Sequence, residues 1–342
     1  MSHDTLAIIW FGLWGLVWAV YFILDGFSLG TGIIFPFITK NRQERNQLQE
    51  AIGPFWGGHE VWLVLAGGAT FAAFPVTYAN MFVYFYVPLM LILFSLFFRA
   101  VGLEFMHKDE NRIWQNTCKW AFSISSFLVA FLFGVAFSNL FYGLPVGKNG
   151  IEGGLFALLN SYALLGGFLF VAIFTTAGAL WVKIKTEGEV ADRAVKVALP
   201  ASLVASITLC MFFVATANQT PLLENATKEN VLYILPALSA LSAILVMIFI
   251  IRKKIGMAFT FISTTTLFLM ATGFTGMYPN MLPSRISEQF STTLFQAAGS
   301  KMNLTLMLWV AGIMLPIVIG YQLWSYTIFK KKINAKEAKG YH

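Results

Sequence analysis

The sequence predicts an all-α polytopic membrane protein with nine transmembrane helices, expected as two four-helix bundles with one peripheral helix left over. Three observations carry this expectation. Of 342 residues, 58% are hydrophobic and 11% charged, and the mean hydropathy is +0.71. Those charges are too few to clothe a soluble domain of this size. Nine apolar runs reach the ~20 residues that cross ~30 Å of hydrocarbon as a helix. Read as spans, they place Lys and Arg mainly on alternate connections, the positive-inside pattern.

The runs lie at about 6–37, 55–74, 78–98, 120–141, 158–182, 197–217, 231–251, 257–276 and 304–329. The first lacks the basic leader of a secretory signal, so it is expected to be retained. It is longer than a span needs, and Gly32 and Pro36 mark where its inner end is expected to tilt out or stop. Lys40, Arg42 and Arg45 follow the first run. Arg99, Lys108, Arg112 and Lys119 follow the third, and Lys183, Lys185, Arg193 and Lys196 the fifth. Arg252, Lys253 and Lys254 follow the seventh, and five lysines fill the tail. The opposite side carries only Lys148, Lys228, Arg285 and Lys301. The N-terminus is therefore expected outside and the C-terminus in the cytoplasm. The net charge of +7 is accounted for by this orientation, with no nucleic-acid partner implied.

The longest outer connection, 277–303, holds Tyr278-Pro279 and Leu282-Pro283-Ser284, which is turn chemistry rather than a folded domain. No linker or internal repeat divides the chain, so 1–342 is read as one integral-membrane domain whose sequential helices pack antiparallel. Cys118 and Cys210 form no CxxC and are read as inert small hydrophobes.

Polar chemistry concentrates in the first three runs. Asp25 stands mid-run in DGFSLGTG at 25–32, beside Gly26 and Gly30. Their four-residue spacing lets a neighbouring helix approach closely. An acid at that depth costs at least ~3 kcal/mol unless it faces protein or water. Two readings stand: a titrating proton carrier, or a buried protonated Asp bonded to a neighbour. His59 and Glu60 are expected about a turn inside the second span, and Glu104 at the cytoplasmic end of the third. With Asp25 deepest, these groups form a ladder from the cytoplasm toward mid-membrane, as proton uptake requires. The competing reading is a set of unrelated helix-end carboxylates. Later acids all fall in loops or the tail, and only hydroxyls such as Thr175, Thr176, Thr264, Thr265 and Thr266 interrupt the second half.

A metal or haem held by this chain alone is not expected. His59 is the only histidine near a span, since His3, His107 and His342 lie in a terminus, a loop and the tail. No bis-His pair is therefore available as haem ligands. His59-Glu60 is not HExxH either, because Leu63 takes the second His position. Walker, GxGxxG and nucleophile-elbow patterns are absent.

Six segments in register resemble subunit II of the cytochrome bd-type quinol oxidases. They are DGFSLGTG at 25–32; IGPFWGGHEVWL at 52–63 with AGGATFAAFP at 66–75; LFFRAVGLE at 96–104; GAL at 178–180 with KTEG at 185–188; YPNMLPS at 278–284; and PIVIGYQ at 316–322. The resemblance implies a multi-pass protein of the bacterial cytoplasmic membrane, paired with a larger subunit I that keeps two b haems, haem d and the quinol site. It often implies a small single-span accessory peptide as well. Such a complex oxidises quinol and reduces dioxygen to water with cytoplasmic protons, and subunit II is similar to a scaffold contributing to proton supply. Asp25 matches its family position, and Glu104 replaces a shorter acid. Many relatives carry a further Asp where Ser28 and Gly57 stand here, so His59 and Glu60 are candidates to supply the missing titrating groups. The rival reading is a proton-coupled transporter, which usually shows broken helices in two related halves and a polar midplane site.

Overall fold

The computed structural model of the protein describes residues 1–148, 150–227, 234–336 and 338. Among them the helices are α1 (His3–Ile38), α2 (Arg42–Ala73), α3 (Pro75–Tyr84), α4 (Tyr86–Glu104), α5 (Arg112–Tyr142) and α6 (Ser161–Lys185). There follow α7 (Glu189–Gln219), α8 (Leu222–Thr227), α9 (Ile234–Ile251), α10 (Ile255–Met277), α11 (Leu294–Ala297) and α12 (Lys301–Ile328). Two antiparallel pairs, β1 (Val146–Gly147) with β2 (Gly150–Ile151) and β3 (Asn280–Leu282) with β4 (Thr292–Thr293), trim the loops. Lys228, Glu229, the start of the seventh run at 231–233, Glu337, Lys339 and His342 lie outside the described residues.

Eight helices (α1, α4, α5, α6, α7, α9, α10 and α12) are long and apolar enough to cross a membrane. They coincide with eight of the nine runs. The run at 55–74 falls on α2, which is not among them. α2 is 32 residues long and starts thirteen residues before that run, with Asn41 accepting from the Glu44 N–H as its N-cap. Its polar first nine residues, RQERNQLQE, bury Asn46, Gln47 and Gln49 against the rest of the protein. α1 likewise neither stops nor breaks at Gly32 and Pro36 but continues to Ile38. The third run is divided at Phe85 into α3 and α4, with Pro75 opening α3 and Pro88 in the first turn of α4, where proline is tolerated.

α1 is the hub, buried along its length and packed against α2, α5, α6 and α10. Its small residues make this possible. A Cβ on Gly30 would overlap the Phe174 carbonyl oxygen, and one on Gly178 would overlap the backbone of Gly30 and Thr31, so α1 and α6 touch backbone to backbone. Gly26 meets the Phe174 ring in the same stripe. In hydrocarbon, where lipid tails are as apolar as Leu, such close packing supplies much of the association energy. An aromatic cluster of Trp18, Phe22, Phe133, Phe137 and Phe174 packs around the middle of α1, mostly edge-to-face.

The connection at 277–303 is more ordered than turn chemistry suggests. β3 and β4 pair, α11 carries a full capping box between Thr293 and Gln296, and Leu144 bridges to Ser284. On the other side Lys185 is buried and donates to the Phe329 and Lys331 carbonyls. The chain after α12 is thereby held under α6, with Gln47 donating to the Ile333 carbonyl at 2.7 Å.

Candidate functional site

Arg99 is the residue that assembles the site. As a basic residue after the third run it was expected in a cytoplasmic connection. It lies instead inside α4, 0% exposed. The apolar stretch Ala100-Val101-Gly102-Leu103 beyond it carries the helix on to Glu104, and that stretch was the available signal. Its guanidinium donates from Nη2 to Asp25 Oδ1 at 2.6 Å and from Nη1 to Asp25 Oδ2 at 3.0 Å. Nη1 also donates to Glu60 Oε1 at 3.1 Å. Tyr21, one turn earlier on α1, donates its hydroxyl to Asp25 Oδ2 at 3.2 Å. This fork is the strongest common geometry for an Arg–carboxylate pair, and it matters because an unpaired charge buried here costs several kcal/mol.

The ladder order changes accordingly. Asp25 is not deeper than Glu60, since one guanidinium nitrogen reaches both. Glu60 stands eighteen residues into α2, roughly 27 Å from its start at 1.5 Å per residue, not one turn inside. The two carboxylates differ in surroundings: the Asp25 side chain is 0% exposed and held by two nitrogens, whereas that of Glu60 is 28% exposed and held by one.

Glu104 ends α4, five residues and ~7.5 Å of rise beyond Arg99. It accepts from the Trp56 indole N–H at 3.2 Å, and Trp56 stands one turn before Glu60 on α2. α2 and α4 are thus linked by long side chains, Glu60 to Arg99 and Trp56 to Glu104. On the other side of the cluster, toward the β3–β4 connection, an apolar cavity of about 300 Å³ lies between the two helices. Leu63, Gly67, Ile92, Leu96 and Phe133 are among its walls.

His59 does not join the charged cluster. It is fully buried, with Nδ1 hydrogen-bonded to the Ser28 hydroxyl at 2.9 Å and Nε2 to the Tyr326 hydroxyl at 2.8 Å. Phe27 packs edge-to-face on the ring at 4.9 Å between centroids. It links α1, α2 and α12, and neither Ser28 nor Tyr326 was singled out by sequence as its partner. With both ring nitrogens engaged, His59 offers none to an axial haem position. Among the described residues no three His, Cys, Asp or Glu side chains gather as a metal site.

The protein matches the family model for cytochrome bd terminal oxidase subunit II over residues 6–329. It is 32% identical to cytochrome bd-I ubiquinol oxidase subunit 2 of Escherichia coli (strain K12), covering 95% of this chain and 94% of the relative. It is 31% identical to cytochrome bd ubiquinol oxidase subunit 2 of Bacillus subtilis (strain 168), covering 99% of each. Its fold is like that of a chain in the solved bd oxidase of Geobacillus thermodenitrificans, with a TM-score of 0.77 and 16% identity over 95% of this chain and 98% of that one.

Proposed function

The chain belongs to the cytochrome bd terminal oxidase subunit II family, and from that premise we propose that it braces a haem-bearing subunit I and admits cytoplasmic protons for the reduction of O2 to water. It is a multi-pass membrane subunit of an oxidoreductase complex. In this reading 1–342 is one integral-membrane domain of the bacterial cytoplasmic membrane. α2 is the ninth span, the N-terminus lies outside and the C-terminus inside. Quinol is the substrate of the complex, the two b haems and haem d belong to subunit I, and a small single-span peptide accompanies the pair.

The observation that carries the proton role is one buried guanidinium facing two carboxylates. Ionised, the three groups leave one negative charge uncompensated, and a single proton neutralises it. Coupled carboxylates of this kind hold and release a proton as a unit. Asp25, gripped by the fork, serves as the fixed counter-charge, and Glu60, more exposed and held once, is the group that exchanges. Glu104 stands nearer the cytoplasmic end and receives first. The cavity beyond the cluster is walled mainly by apolar side chains and holds no titrating carboxylate or histidine, which favours exchange with the inside. His59 forms a second, hydrogen-bonded link, joining α2 to Ser28 of α1 and Tyr326 of α12. No observation favours a proton-coupled transporter.

The test is Glu60→Gln in the assembled complex. Quinol-dependent oxygen uptake should fall ~10²-fold, the scale of losing one proton-transfer group, with haem content and assembly unchanged and recovery in Glu60→Asp. Full turnover in Glu60→Gln would remove Glu60 from the path. Asp25→Asn should instead weaken assembly, because it loosens the grip on Arg99.

A further inference from the structure

The cytoplasmic ends of α2 and α5 enclose a cavity of about 760 Å³ that the proton role does not use. Lys40, Arg42, Arg45 and Arg112 line it, against the single carboxylate of Glu110. Glu110 accepts from Arg42 Nη1 at 3.4 Å, a long and exposed contact that cannot offset four cations. Arg42 and Arg112 are the first residues of α2 and α5, both helices of more than thirty residues, so two positive helix ends point the same way. Arg45 donates to Gln115 Oε1 at 3.0 Å, yet its Nε is buried with no partner. Burial, with repulsion from Arg42 and Arg112, pushes the Arg45 guanidinium below its usual value. Like charges gathered around an open space, with a buried donor to spare, are the arrangement of an anion site.

We propose that this cavity binds a phosphate-ester anion. Guanidinium groups match phosphate oxygens in pairs, which a carboxylate-poor pocket leaves free to act. The rim identifies the most fitting source. Phe37, Ile113, Trp114 and Trp120 are exposed beside the pocket, and Lys119 lies 5.5 Å over the Trp120 ring. Trp at the headgroup level with basic residues just inside is how membrane proteins meet an anionic lipid surface. The chemistry shared with a soluble phosphate remains the recognition element, and the experiment separates the two sources.

The experiment uses the full oxidase complex in nanodiscs. Binding of labelled phosphatidylglycerol in a phosphatidylcholine background is compared between wild type, the double variant Arg42→Gln/Arg112→Gln, and the charge-preserving Arg42→Lys/Arg112→Lys, with and without inorganic phosphate. Each removed charge should weaken binding about fivefold, from ~1 kcal/mol per basic residue at a membrane surface. The Gln pair should therefore lose about 25-fold and the Lys pair retain most of the binding, with haem content equal in all three. Competition by millimolar phosphate would assign the site to a soluble phosphate, and persistence of lipid binding in its presence would assign it to the headgroup. Equal binding of both probes to wild type and the Gln pair would overturn the proposal.

Discussion

α6 and α12 have nearly the same mean hydropathy, 2.0 against 2.1, and similar lengths of 25 and 28 residues. Yet over the most apolar stretch of each, 72% of α6 is buried in the protein and 6% of α12. Hydropathy therefore reports that a helix enters the bilayer, not where it stands within it. The difference lies in how each is attached. α6 presents Gly166, Gly167 and Gly178 to α5 and α1 at backbone contact. The glycines of α12, Gly312 and Gly320, have open space where a Cβ would go. α12 is clasped instead by polar side chains: Trp10 to the Leu304 carbonyl at 3.0 Å, His59 to Tyr326, and Trp62 to Gln322 at 2.7 Å. One helix is packed in and the other is hydrogen-bonded on.

Breaking the buried ion pair, a polar clasp that carries full charges, should cost most. Arg99→Leu strands Asp25 and should destabilise the subunit by ~3–5 kcal/mol. Pairing it with Asp25→Asn should restore much of the loss, and thermal melting of the detergent-solubilised complex reads both. An unchanged melting curve in Arg99→Leu would mean that the ion pair does not hold α4 to α1.

Gly178→Leu comes next. It drives a side chain into the Gly30 backbone and should cost ~3 kcal/mol, the upper end for overpacking. The loss should be visible as reduced yield of intact complex. Gln322→Leu removes the acceptor of Trp62 and, with it, one clasp of α12. Buried hydrogen bonds between membrane helices average ~0.6 kcal/mol, so the shift should be small and accompanied by a change in indole fluorescence. The mildest is Gly312→Leu, with an effect within ~0.5 kcal/mol. If Gly312→Leu proved as damaging as Gly178→Leu, the contrast between packed and clasped helices would fail, pointing to a partner seated on α12.

Much of the architecture is legible in the sequence. The apolar runs locate eight helices, because ~20 apolar residues admit few other fates; α1, α6, α9, α10 and α12 match their runs within three residues at each end, whereas α4, α5 and α7 each start eight residues away. Gly26 and Gly30 flagged the face of α1 that meets α6. Where reading fell short, polar residues were judged by their type alone. Residue type puts Arg99 in water, because arginine usually lies there, and RQERNQLQE reads as a connection although α2 begins with it. Only the fold shows that these polar groups find partners inside it.

The sequence by itself determined that the chain is helical and multi-pass, since those properties depend on the length and apolarity of its runs. Tertiary structure alone decided that Asp25, Glu60 and Arg99 share one site, that His59 stands apart from it, and that α12 lies outside the core. Pairing of charges is a property of distance, and residues 39 and 74 positions apart become neighbours only when three helices are packed side by side.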